Sequence, residues 1–198
     1  MKYDYIVIER EYGSGGREIG KLLGERLNIP CYGEEIPQGV AEKLNIPLDE
    51  VQKHEESTTS SLLYSLYALS QMGNVSGDML SKDGLVFVEE QKLIHEYALK
   101  GSAVFVGRCA QKPLENGKVL TVFIHADIDS RKRRAVSKYG ISEGNAAGVI
   151  ARYDKKRDSY YRLNTSKKWK SFDNYDMALD SGKLGIEACV DIIAAACQ

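Results

Sequence analysis

The first thirty residues constrain this chain most. Tyr5-Ile6-Val7-Ile8 is a short apolar run that leads into Gly13-Ser14-Gly15-Gly16. Past the glycines, Ile19, Leu22, Leu23 and Leu27 recur at helical spacing. The pattern stops at Asn28-Ile29-Pro30, where proline forbids continuation. The spacing predicts a buried strand, a tight loop and a helix. Such a unit suits a phosphate: glycines let backbone N–H groups turn inward, and the helix N-terminus adds partial positive charge. Two stricter patterns fail here. GxGxxG finds Glu18 where its third glycine belongs. GxxxxGK[ST], with Arg17 in the lysine place, keeps Gly16 but meets Glu11 for the first glycine and Glu18 for the hydroxyl residue.

The remaining chain alternates helical and strand patterns. Residues 31–81 read as mostly helical, broken at Pro37 and Pro47, with Leu62, Leu63, Leu66, Tyr67 and Leu69 on one apolar face and a loop at 73–77. Residues 85–99 read as a helix, although Leu85-Val86-Phe87-Val88 equally suits the start of a strand. Strands are predicted at 103–106 and 119–124, charged helices at 128–139 and 142–162, a last strand at 175–179 and a closing helix at 186–196. Alternation of this kind indicates an α/β fold with a mainly parallel sheet. A length of 198 residues suits a single domain with its own core.

Several function classes drop out. No apolar run approaches the 18 residues or so of a membrane span. Met1-Lys2-Tyr3-Asp4 runs into a strand pattern rather than a signal peptide, so a cytoplasmic protein is expected. Cys31, Cys109, Cys189 and Cys197 form no CxxC pair and read as reduced, mostly buried thiols. His54, His95 and His125 show no metal-ligand spacing.

Net charge is −1, but the charge is segregated. Residues 131–170 hold 13 Lys/Arg against Glu143, Asp154 and Asp158, while both flanks are acidic. A block this basic needs an anionic partner or acidic neighbours in the fold. Two arginine-bearing helices could close over phosphates as a lid. Tyr153, Tyr160, Tyr161 and Trp169 interleave with the charge, which also suits a nucleic-acid surface.

Individual candidates follow. Arg17 opposes the helix dipole unless a phosphate reverses that sign; otherwise it pairs with a nearby acid such as Glu9 or Glu11. Glu18, Asp127 and Asp129 are possible Mg²⁺ ligands. Arg108 follows a strand at its carboxyl end, where open α/β sheets place ligands.

Three segments together resemble the cytidylate kinase-like family. They are Glu11 to Ile19, then Val106-Gly107-Arg108-Cys109-Ala110, then Tyr175 to Ser181 with Leu184-Gly185-Ile186-Glu187. The resemblance covers essentially the whole chain. It implies a P-loop NTPase-like three-layer α/β/α fold: a five-stranded parallel sheet, a helical insertion for the monophosphate and a helical lid. The core would be 1–35, 84–130 and 171–198, the insertion 36–83 and the lid 131–170. The implied reaction passes a phosphoryl group from ATP, with Mg²⁺, to CMP or dCMP.

By position, Gly13, Ser14, Gly15, Gly16 and Arg17 would hold ATP phosphates. Arg108, Asp158 and Arg162 would meet the monophosphate, and Arg17, Arg131, Arg134 and Arg157 would serve catalysis. The chain departs from the family at Gly16-Arg17-Glu18, where relatives carry Gly-Lys-Gly/Ser. It departs again at Tyr32-Gly33-Glu34-Glu35, where relatives often read Tyr-Asp-Arg-Glu. The departures leave two alternatives: a catalytically impaired nucleotide-binding module, or nucleic-acid binding through residues 131–170.

Overall fold

In the computed structural model, residues 1–55 and 82–198 are described. The predicted apolar face from Leu62 to Leu69 and the loop at 73–77 lie outside them.

Strand β1 (Tyr5–Arg10) runs two residues beyond its apolar stretch and delivers Glu9 and Arg10 to the sheet's carboxyl edge. Helix α1 (Gly16–Leu27) follows the glycine loop and ends at Asn28 in the left-handed conformation, where asparagine is tolerated. Next come β2 (Cys31–Tyr32), α2 (Glu35–Leu44), α3 (Leu48–Glu55) and α4 (Lys82–Ala98). Pro37 does not break a helix as expected. It sits in the first turn of α2, where no backbone donor is needed. The ambiguous Leu85–Val88 stretch is helical within α4, where Val86, Phe87 and Val88 are all buried.

Strands β3 (Ala103–Val106) and β4 (Val119–His125) precede two long helices, α5 (Ile128–Tyr139) and α6 (Glu143–Thr165). A 3₁₀ turn (Phe172–Asn174) leads to β5 (Met177–Asp180), short α7 (Ser181–Leu184) and α8 (Ile186–Ala196). The final strand thus starts two residues later than the sequence suggests.

All neighbouring strands pair in parallel, in the order β2-β3-β1-β4-β5. Alternation along β1 divides the core. Ile6 and Ile8 pack with Ile19 and Leu23 of α1 and Val190 and Ile193 of α8. Val7 points the other way and joins Phe105, Ile36 and Ile94, from β3, α2 and α4. These two apolar interfaces make three layers, helices on both faces of one sheet. Because β3 and β4 flank β1 on opposite sides, their connections diverge and open a crevice at the carboxyl ends.

Candidate functional site

A cleft of about 470 Å³ occupies this crevice. Gly13, Gly15, Gly16 and Arg17 line it, together with Arg108 and Arg157. Residues of the loop, of the turn after β3 and of α6, far apart in sequence, thus share one cavity. Gly13 and Gly15 both take φ of +78°, and the first hydrogen bond of α1 runs from the Ile19 N–H to the Gly15 carbonyl at 2.9 Å. The N–H groups of Gly16, Arg17 and Glu18 therefore precede the helix's own ladder, as an anion site requires. Ser14 is different. Its side chain is buried and its hydroxyl donates to the Glu11 carbonyl at 2.9 Å, while its own carbonyl accepts from the Ser181 hydroxyl at 2.6 Å. Ser14 braces the loop from beneath.

The charged loop residues are paired. Arg17 forms an ion pair with Glu34, not with Glu9 or Glu11, because the turn after β2 lies beside the helix start. Glu18 pairs with Arg134 of α5. Both contacts are at least partly open to solvent, so each contributes little to stability.

The basic helices are tied to the loop through partly buried carboxylates. Arg131, 5% exposed, donates to Asp154 Oδ2 at 2.7 and 2.8 Å and lies 3.0 Å from Glu11. Asp154 Oδ1 also accepts the Tyr12 N–H at 2.8 Å, and Lys170 pairs with Glu11. Tyr12 stacks on Tyr153 with ring centres 4.6 Å apart. The sequence placed Arg131 and Arg134 among lid-side catalytic groups; the fold sets Arg131 at the junction of α5, α6 and the loop. Asp158 and Arg162 pair with one another at 2.8 Å and line a second groove with Lys155 and Lys168, apart from the main cleft.

Arg157 lies in the cleft. Its Nη1 donates to the Arg10 carbonyl at 2.9 Å, and its guanidinium sits 5.6 Å from the Tyr12 ring centre. Burial lowers its pKa, while Asp154 and Glu9 act in the opposite sense. Arg108 adopts φ of +57° and Cys109 +51°, uncommon values for residues with side chains, and they follow Gly107 at +82°. This left-handed run turns Arg108 back toward the carboxyl edge. Gln91 donates to its carbonyl at 3.3 Å, and Glu90 lies 3.9 Å from its Nε. Tyr160 donates its hydroxyl to Glu90 at 2.9 Å.

Sequence reasoning missed Arg10 and Tyr139, which line the cleft, and gave Tyr12 and Glu34, which line it too, only as parts of family segments. A signal for Arg10 existed. It is a charged residue at the carboxyl end of a buried strand, directly before the glycine loop, which is where such sheets place ligands.

Among the described residues, the candidate ligands do not build a Mg²⁺ site. Position 18 carries a carboxylate engaged by Arg134, and Asp127 caps α5 by accepting the Asp129 and Ser130 N–H groups. No group of three or more metal-ligating side chains occurs among the described residues. No helix among them is long and apolar enough to cross a membrane.

Sheet order, glycine loop and cleft define a P-loop kinase fold, and solved structures agree. A shikimate kinase from Bacteroides thetaiotaomicron is 16% identical, with 98% of this chain and 97% of that one covered and a TM-score of 0.55. A protein designated TT1252 from Thermus thermophilus is 15% identical, with both chains fully covered and a TM-score of 0.57. An uncharacterized protein from Eubacterium ventriosum is 25% identical over 98% of each chain, with a TM-score of 0.69. A search of curated proteins found no match. The sequence profile of the cytidylate kinase-like family matches residues 5–183, and the chain belongs to that family.

Proposed function

We propose that this protein is an ATP-dependent phosphotransferase of the cytoplasm whose acceptor is a nucleoside monophosphate such as CMP or dCMP. One observation carries the reading: the glycine loop with Arg17, and Arg108 with Arg157, line the same cleft at the carboxyl edge of the sheet. ATP would enter as its Mg²⁺ complex, with its phosphates over residues 13–17. An acceptor phosphate oxygen attacks the γ-phosphorus, the bond to the β–γ bridging oxygen breaks, and ADP leaves. The acceptor oxygen is already ionised, so no side chain need remove a proton. What the chain supplies is alignment and positive charge. Arg17 must exchange Glu34 for the nucleotide, a small cost for so exposed a pair.

The test is a coupled ADP-release assay over a panel of monophosphates with Mg²⁺ or Mn²⁺. Arg17→Ala and Arg108→Ala should each abolish most of the turnover. No turnover with any acceptor overturns the reading.

A second reading, a nucleotide-binding module without catalysis, is favoured by the pairing of Arg17 with Glu34 and of Glu18 with Arg134. It predicts that millimolar nucleotides raise the melting temperature without turnover. Nucleic-acid binding through residues 131–170 finds less support. Trp169 and Tyr161 are buried, and Tyr153 stacks one face on Tyr12, which leaves less aromatic surface for bases.

A further inference from the structure

Two glycines give way to one arginine. A Cβ on Gly16 would lie 2.5 Å from Arg10 Cβ and 3.0 Å from its Cγ. A Cβ on Gly107 would lie 2.0 Å from Arg10 Nη1 and 2.8 Å from its Cζ. The stem of Arg10 thus packs against the start of α1, and its guanidinium lies across the turn that presents Arg108. One side chain spans from the donor-phosphate loop to the acceptor-side turn.

The surroundings are charged and recessed. Arg10 and Arg108 side chains are only 15% and 16% exposed. Glu9, 3.8 Å from Arg10, and Glu90, 3.9 Å from Arg108, are buried. Glu9 Oε2 also accepts from Trp169 Nε1 at 3.2 Å, and Glu90 Oε2 from the Tyr160 hydroxyl at 2.9 Å, so both carboxylates are held in place. Arg157 adds a third guanidinium through its bond to the Arg10 carbonyl. Three guanidinium groups, with Glu9, Glu90 and Asp154 as their carboxylate neighbours, thus face one cleft. Planar guanidinium forks gathered in one cleft match the geometry of an oxyanion.

We propose that Arg10, Arg108 and Arg157 form one oxyanion subsite, and that Arg10 contacts both the donor and the acceptor phosphate. The oxyanion site stands on the packing around Arg10; naming the anion as an acceptor phosphate rests on the phosphotransferase reading. In phosphoryl transfer, Arg10 would lie along the line between the two phosphates, where negative charge spreads over the equatorial oxygens.

The experiment titrates the full chain calorimetrically with inorganic phosphate, CMP, cytidine and ATP. It compares the wild type with Arg10→Met, which keeps the packed stem, Arg10→Lys, which keeps the charge, and the surface control Arg133→Met. Arg10→Met should weaken phosphate and CMP at least tenfold and leave cytidine unchanged. Arg10→Lys should lose less, and Arg133→Met less than twofold. Affinities for phosphate and CMP unchanged by Arg10→Met overturn the subsite, as does a wild type that binds neither. Failure of both Arg10 variants to fold also overturns it, the residue then being a strut. If ATP binds while phosphate and CMP ignore Arg10, the inference alone falls. If ATP does not bind but phosphate depends on Arg10, the phosphotransferase reading falls and the subsite stands.

Discussion

The arginines of the basic helices and those of the cleft floor carry the same charge in opposite settings. Arg131, in α5, is enclosed by Asp154 and Glu11, which balance it within the protein. Arg134 meets Glu18, and Arg162 meets Asp158. Arg10, Arg108 and Arg157 come from three separate segments, each with a carboxylate neighbour, and line a cavity. Density of charge along the chain does not separate the two groups, since Arg157 belongs to the same basic stretch as Arg131, Arg134 and Arg162. A cation far from its counter-charges in sequence can still be neutralised in space, and an isolated one can face an open cleft.

The comparison breaks most readily at Arg131. Arg131→Met leaves the Asp154 and Glu11 carboxylates short of their buried partner and should cost about 3–5 kcal/mol, read from urea unfolding. A cost below about 1 kcal/mol would return this arginine to the ligand-facing group. Next in size, Arg108→Met should lower kcat/KM about a hundredfold for the best acceptor while the melting temperature stays nearly constant. Equal losses of activity and stability would make Arg108 a structural residue.

Glu34→Gln tests the pairing over the loop. It releases Arg17, so ATP should bind about two- to fivefold more tightly in a titration; weaker binding would mean that Glu34 supports the ligand. Smallest of all, Arg162→Ala should change stability by less than about 0.5 kcal/mol in the same urea series, because its partner is one helical turn away and the guanidinium is over half exposed. A larger change would show that the second groove contributes to the fold.

Much of the architecture was legible along the chain. The Tyr5–Ile8 run, the glycines and the Ile19–Leu27 spacing specify strand, loop and helix through local sterics and periodicity, and each appears where expected. The strands near 103 and 119 were equally clear, since short apolar runs between polar turns have few other solutions. Ends were less so. β1 continues through Glu9 and Arg10 because its partner β4 keeps pairing to Ile124, which no property of Arg10 itself announces. Pro37 looked like a break, yet the chain starts α2 just before it, where proline is harmless.

The candidate site divides along the same line. Gly13, Gly15, Gly16, Arg17, Arg108 and Arg157 were named from local pattern and family likeness, and they line one cleft. Asp158 and Arg162 were named with them but face another groove, since positions four apart share a helix face that here turns from the cleft. The Arg17 partner was sought among near neighbours at Glu9 and Glu11, and it is Glu34. That pairing spans 17 positions, a distance that sequence separation does not encode.

Local sterics and hydrophobic period thus determined the order of elements, the parallel sheet and the phosphate-type loop, because these depend on residues a few positions apart. Only the tertiary structure decided which carboxylates lie beside each arginine and which arginines face the cleft. That choice is electrostatic and depends on carboxylates brought from 23 to over 100 positions away, as Asp154 and Glu11 are to Arg131.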